Sequence, residues 1–197
     1  MEVSCLVWAR ALLELAYSFI NEQFEGPAIA PWQIPQFRFV KSALAVEQQS
    51  AGKNGAVFLL EELIHEKEQG PFRKYLNNVS PSPLPFASSA DRERAAFLAF
   101  TQHVQYWKTK KLVFVSDYQG GNSILTDPQI SSASELGVIF AEGNVPSIHS
   151  NFEKQHHCNN FCKWFGLPTD YNSESWSTVS ANRDPEAAAE LYGQPSQ

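Results

Sequence analysis

The chain has 197 residues, 43% of them hydrophobic and 18% charged, which allows one globular domain with a short appendage and excludes a disordered chain. Fourteen Phe and five Trp supply the bulk of a core, and a net charge of −6 excludes a general nucleic-acid binder, which needs a basic face to neutralise phosphates. No run reaches the ~18 consecutive apolar residues of a membrane span, and three cysteines make no disulfide framework.

At the N-terminus, Val3, Leu6, Val7, Leu13, Ala16, Tyr17 and Ile20 recur at helical spacing. Glu2, Arg10 and Glu14 interrupt the segment, so it reads as an amphipathic helix and not as a secretion signal. An intracellular, cytoplasmic chain without membrane contact is therefore expected, and the Asn78-Val79-Ser80 glycosylation triplet carries no weight. After a Pro-containing break from Gly26 to Pro35, residues 36–48 and 56–64 read as two strands of an antiparallel hairpin around a turn at 50–55. Residues 65–87 are polar and Pro-rich, and read as a loop.

Ser88 with Asp91 three residues later resembles a capping box, opening a helix that runs to about Trp107 with Ala96, Phe97, Phe100, Val104 and Trp107 on one face. The runs KLVFVSD and NSILTD read as two strands joined by Gln-Gly-Gly. A loop from Pro128 to Pro146 leads to one helix at Ser147–His156 and another at Cys158–Phe165, followed by an irregular tail rich in Ser, Asn, Asp and Pro.

Two constellations carry chemistry. The segment His156-His157-Cys158-Asn159-Asn160-Phe161-Cys162 places two thiols one turn apart, if helical, with an imidazole beside them. Tetrahedral zinc takes thiolates and imidazoles, and a fourth ligand must come from elsewhere; His103 is the candidate among the remaining histidines. The alternative is a surface histidine pair next to two small buried cysteines. Four protein ligands leave no position for water, so such a site is structural and not a zinc enzyme's centre.

The second constellation is Asp117-Tyr118-Gln119-Gly120-Gly121 followed by Leu125-Thr126-Asp127-Pro128. A hairpin brings Asp117, Gln119 and Asp127 to one edge, where hard oxygen donors suit magnesium. Phosphoryl transfer requires that cation and a carboxylate to orient the attacking hydroxyl. Taken alone, Asp and Gly beside strands are equally ordinary turn residues.

Both constellations occur in order within a wider pattern. The run LVFVSDYQGGNSILTDPQI resembles the D-x-Q-G and T-D-P-Q-I signature of the alpha-type protein kinases, the family of the myosin heavy chain and elongation-factor kinases. NFEKQHHCNNFCKWFGLP resembles that family's zinc-binding C-terminus, FAEGNV its Gly-Asn loop, VFLLEELI its hinge strand, FRKYLNN its K-Y-x-x-N loop, and AAFLAFT the helix entering its zinc core. The resemblance implies an α+β, atypical protein-kinase-like fold over residues 1–167, with a reduced N-lobe of antiparallel strands, a zinc-stabilised helical C-lobe and a polar tail at 168–197.

It also implies a serine/threonine kinase that uses ATP and acts on a protein substrate. Asp117 would face the transferred phosphate and the substrate hydroxyl, and Gln119 and Asp127 would hold magnesium. Glu61, Glu62 and Leu63 would line the adenine through the hinge backbone, with Asn78 near the nucleotide. His156, Cys158 and Cys162 match three zinc ligands. The family's usual histidine falls at Ala99, and His103, one turn later, is the compensating ligand.

Two departures qualify the implied activity. Gly143-Asn144 is followed by Val145-Pro146-Ser147 where the family has a further glycine. The strands that carry the family's phosphate-binding lysine have no counterpart, and Lys41 is not assigned that role. Low or absent transfer by these residues alone is expected, and the other reading is a pseudokinase or remnant acting as a zinc-stabilised interaction module.

Overall fold

The computed structural model describes residues 2–24, 30, 32–48, 55–137, 139–140 and 145–171. The turn at 49–54, the Gly143-Asn144 pair and the tail from 172 onward lie outside the described residues.

The expected first helix, α1, spans Glu2–Gln23 and buries Cys5, Leu6, Ala9, Leu12, Leu13, Ala16, Phe19 and Ile20. By length and composition alone this helix could cross a membrane. Its buried face instead lies against the second long helix, α3, Ser89–Lys108. Each Phe or Leu so buried contributes roughly 1.5–3 kcal/mol. Helix α3 starts where the capping pattern placed it: the Ser88 side chain accepts the Asp91 N–H. Asp91 is itself buried, and its carboxylate pairs with Arg73 at 2.8 Å and Arg94 at 2.9 Å.

The strand expected over 36–48 divides into β1, Arg38–Phe39, and β2, Ser42–Val46. Strand β2 pairs antiparallel with β3, Val57–Glu61, with Ser42 opposite Glu61 and Val46 opposite Val57, as the hairpin reading required. The loop expected at 65–87 is a correction. It contains a one-turn helix, α2, Glu66–Gln69, and strand β4, Arg73–Leu76. Tertiary pairing overrides the polar composition there, since β4 is zipped against β6, Tyr118–Gly120.

The strand pair expected from KLVFVSD and NSILTD is also corrected. Strand β5, Val113–Val115, pairs with β8, Ile130–Ser132, inside the stretch read as a loop. The true hairpin partner of β7, Ile124–Thr126, is β6. One sheet therefore runs in the order β1, β7, β6, β4, with β1 parallel to β7. Ser116 and Asp117 form the crossing between the β5–β8 ribbon and this sheet.

Near the C-terminus, α4 spans Pro146–Gln155 and α5 spans Asn160–Trp164. Cys158 is thus not on a helix with Cys162. Asn159 explains this: it holds extended backbone, and its side-chain oxygen accepts the N–H groups of Phe161 and Cys162, which starts α5 two residues later than expected. The Asn159 amide also donates to Ala96 O of α3 at 2.7 Å. Rings of Phe19, Phe97, Phe100, Phe161 and Phe165 lock α1, α3 and α5 together. Packing runs past the expected boundary at 167, because Tyr171 lies against His103, Tyr106 and Phe152.

Candidate functional site

A cleft of about 280 Å³ opens between α1, β3 and the loop after β7, lined by Glu2, Leu6, Leu59, Glu61, Asp127 and Gln129 among others. The β6–β7 hairpin delivers the acidic cluster to its edge. Gln119 stands opposite Thr126, so Asp117, one residue before β6, and Asp127, one residue after β7, emerge at the same end. The three expected residues are brought together, with Asp117 in the crossing just past β5 and just before β6.

Their environments differ. Asp127 is exposed, and its Oδ2 accepts from Gln119 Nε2 at 2.9 Å. Its backbone is left-handed, φ 47, a conformation that Asp tolerates better than most residues and that is found at functional turns. Asp117 is buried, with Oδ2 3.0 Å from Lys74 Nζ and Oδ1 without a hydrogen-bond partner. Burial pushes its carboxyl up from the ordinary value; the Lys74 ammonium pulls it back down, and the nearby Asp127 charge adds to the rise. Lys74 lies opposite Gln119 in the β4–β6 register. The FRKYLNN stretch contained this lysine, but its pairing with Asp117 was not legible, because it depends on a strand that composition concealed.

The three residues expected at the hinge separate. Glu61 lines the cleft and accepts from Thr126 Oγ1 at 3.0 Å. Glu62 turns away: its carboxylate takes two 2.6 Å bonds from Arg38, which hold it down at about pKa 2, and its N–H donates to Lys41 O. Leu63 has an exposed side chain and does not line the cleft. Asn78 reaches the cleft through Gln129, donating to its Oε1 at 2.7 Å, so Gln129 is a lining residue that sequence reasoning missed.

The second constellation converges as well. One donor atom each from His103, His156, Cys158 and Cys162 lies within 4.8 Å of the other three. His103 Nδ1 stands 3.6 Å from Cys158 Sγ, and His156 Nε2 stands 3.7 Å from Cys162 Sγ. Bonds of ~2.3 Å to sulfur and ~2.05 Å to nitrogen at the tetrahedral angle give an edge of ~3.6 Å. The His103–Cys158 and His156–Cys162 separations match that edge, and the remaining ones stay within 4.8 Å, a spacing that fits a zinc tetrahedron.

The Cys162 thiol hydrogen-bonds Cys158 and holds it well below the usual thiol range, with both imidazoles assisting; burial pushes Cys162 up. Ala99, where the family's histidine was aligned, is buried in the core, and His103 occupies the corner.

A model of the Alpha-kinase family matches residues 10–162. Alpha-protein kinase 1 of Dictyostelium discoideum is 31% identical over 134 residues, which is 65% of this chain and 9% of that protein. The alpha-kinase domain of myosin-II heavy chain kinase A with a phosphorylated aspartate superposes with a TM-score of 0.58 at 22% identity, over 86% of this chain and 58% of that one. The same domain in complex with AMP-PNP gives 0.57 at 23% identity, over 86% and 57%. The chain therefore spans less than two thirds of each of these relatives, and the solved structures show the shared fold. On the family match, this chain belongs to the alpha-kinase family.

Proposed function

We propose that these residues form the cation-binding and hydroxyl-orienting part of a protein kinase active site, which transfers the γ-phosphate of ATP to a serine or threonine hydroxyl of a protein. The observation that carries this reading is the convergence of Asp117, Gln119 and Asp127 on one end of the β6–β7 hairpin, beside the cleft lined by Leu59 and Glu61. Asp117 orients the attacking hydroxyl and accepts its proton, helped by the pull that burial exerts toward the neutral form. Lys74 keeps that carboxylate in place between turnovers.

Gln119 and Asp127 offer hard oxygens that fit magnesium, which would supply neutralisation of the phosphate charge. Glu61 faces the nucleotide from the hinge strand. Glu62 and Leu63 take part at most by their backbone carbonyls, and Asn78 by ordering Gln129. His103, His156, Cys158 and Cys162 would hold a structural zinc, whose need for reduced thiols accords with a cytoplasmic protein. The solved relatives include complexes with adenosine, ADP and AMP-PNP, which supports ATP as the nucleotide.

Transfer of labelled phosphate from magnesium-ATP to a basic protein, measured beside Asp127→Ala, tests the reading. The expected result is weak transfer, given the missing lysine strand, that the substitution abolishes. A folded, zinc-loaded chain that transfers nothing would leave the non-catalytic interaction module as its function.

A further inference from the structure

The turn between β6 and β7 has a satisfaction problem. Gly121 N donates to Ile124 O at 2.8 Å, leaving Asn122 and Ser123 as the two loop residues. Asn-Ser lacks the second-position glycine that two-residue hairpin loops favour. Three successive N–H groups, of Asn122, Ser123 and Ile124, point out of the turn together, an arrangement that normally gathers an acceptor.

One residue supplies both acceptors. Gln69, the last residue of α2, takes the Asn122 N–H on its backbone oxygen at 2.7 Å. Its side-chain Oε1 takes the Ser123 N–H at 2.9 Å, the Ser123 hydroxyl at 3.0 Å and the Ile124 N–H at 3.1 Å. The approach is close enough that a Cβ on Gly121 would stand 2.4 Å from Gln69 Cβ. The far end of the same hairpin is held by Glu61, which accepts from Thr126.

We propose that Gln69 is a positioning residue for the cation site: by gripping the turn, it fixes the hairpin's position, and with it the placement of Gln119 and Asp127. This rests on the assignment of those two residues to the cation made above. Flanked by β1 and β4, the hairpin stays in its sheet without Gln69, but a turn whose Ser123 and Ile124 N–H groups have lost their acceptor can shift by a fraction of an ångström, and hard-cation coordination is intolerant of that. Gln69 touches neither cation nor nucleotide in this scheme. The effect of its side chain reaches the cation through three hydrogen bonds on Oε1 and two short strands.

The test is a titration of the full chain with manganese in the presence of AMP-PNP, followed by the manganese electron paramagnetic resonance signal, with adenosine affinity measured separately without metal. Gln69→Met keeps the volume and removes the acceptor, and manganese affinity should fall about tenfold. Gln69→Glu keeps the acceptor and should restore binding to within about twofold of the unaltered chain. Adenosine affinity should be the same in all three, whereas a merely structural loss would lower it in parallel.

Manganese affinity unchanged in Gln69→Met, or Gln69→Glu failing as badly as Gln69→Met, overturns the proposal. If Gln69→Met does not fold, Gln69→Asn, whose amide is one methylene too short, takes its place with the same expected loss. An unaltered chain that binds adenosine but no manganese, and whose Asp127→Ala variant behaves identically, refutes the cation assignment itself and the positioning role with it.

Discussion

Replacing Cys158 with serine separates a metal centre from an incidental cluster. Cys158 is only partly buried and lies outside α5, in the extended link before Asn159. Cys158 packs half-buried against the core, so without a metal its replacement by serine costs about 1 kcal/mol, the usual size of a single-substitution loss. With zinc in the tetrahedron the account is different. Structural zinc contributes on the order of 10–16 kcal/mol, and one of four donors carries about 3 kcal/mol if the share is even.

Set against the ~5–15 kcal/mol that holds a domain together, that is a large fraction. The melting temperature of a chain this size moves roughly 2–4 °C per kcal/mol, so a drop near 10 °C is expected. Because His103 belongs to α3 and His156 follows α4, the loss should loosen both helices and α5 together. Calorimetry of the unaltered and Cys158→Ser chains, each with and without a zinc chelator, reads the effect, and a colorimetric assay counts the metal released. A variant melting within about 4 °C of the parent, together with a parent indifferent to the chelator, would refute the zinc assignment.

Asp117→Asn should stabilise the chain near neutral pH while abolishing phosphate transfer. Burial holds the carboxyl above its ordinary 3.8, so the ionised acid weakens the fold; that penalty is absent below 3.8, grows as pH rises to the raised folded value, and is constant above it. The melting advantage of the amide should therefore vanish on acidification toward pH 4, and an advantage independent of pH would contradict the assignment of burial as the cause. Gly120→Ala puts a methyl 2.2 Å from Ile124 O at φ +150, and should cost at least about 2 kcal/mol in urea unfolding. Gly137→Ala, with φ +66 but open space around it, should cost only about 1 kcal/mol.

Helices α1 and α3 were readable in the sequence because each is a long periodic segment, and α3 also carries its own start signal in Ser88 and Asp91. The β2–β3 ribbon was readable from its apolar runs. The His103, His156, Cys158 and Cys162 cluster was suggested by residue type and spacing, but the helix expected to join its thiols is absent: Cys158 and Cys162 meet through the Asn159 cap.

Strands β4, β6 and β8 were missed for a common physical cause. They are three or four residues long, and their pairing energy comes from neighbours distant in sequence, which no local pattern reports. Lys74, Gln129 and Gln69 were missed with them, since each acts through a contact that such a strand or turn creates. The expected hairpin already brought Asp117, Gln119 and Asp127 to one edge, and the resemblance gave them roles, but the exit of Glu62 toward Arg38 could be seen only in three dimensions.

The parallel pairing of β1 with β7 has a consequence for the order in which the molecule assembles. Arg38 N–H donates to Ser123 O and Val40 N–H to Leu125 O, contacts that enclose the β2–β3 ribbon, α2, β4, α3, β5 and β6 between them. Loop-closure entropy sets such long-range contacts late, after the local helices and the β6–β7 hairpin have formed. During synthesis, Phe39 and Val40 have no partner strand until residue 125 has left the ribosome, and until then they are apolar surface open to other chains. Nascent chains arrested before β7 should therefore be the aggregation-prone species, and a chaperone would be needed before the His156–Cys162 segment is made.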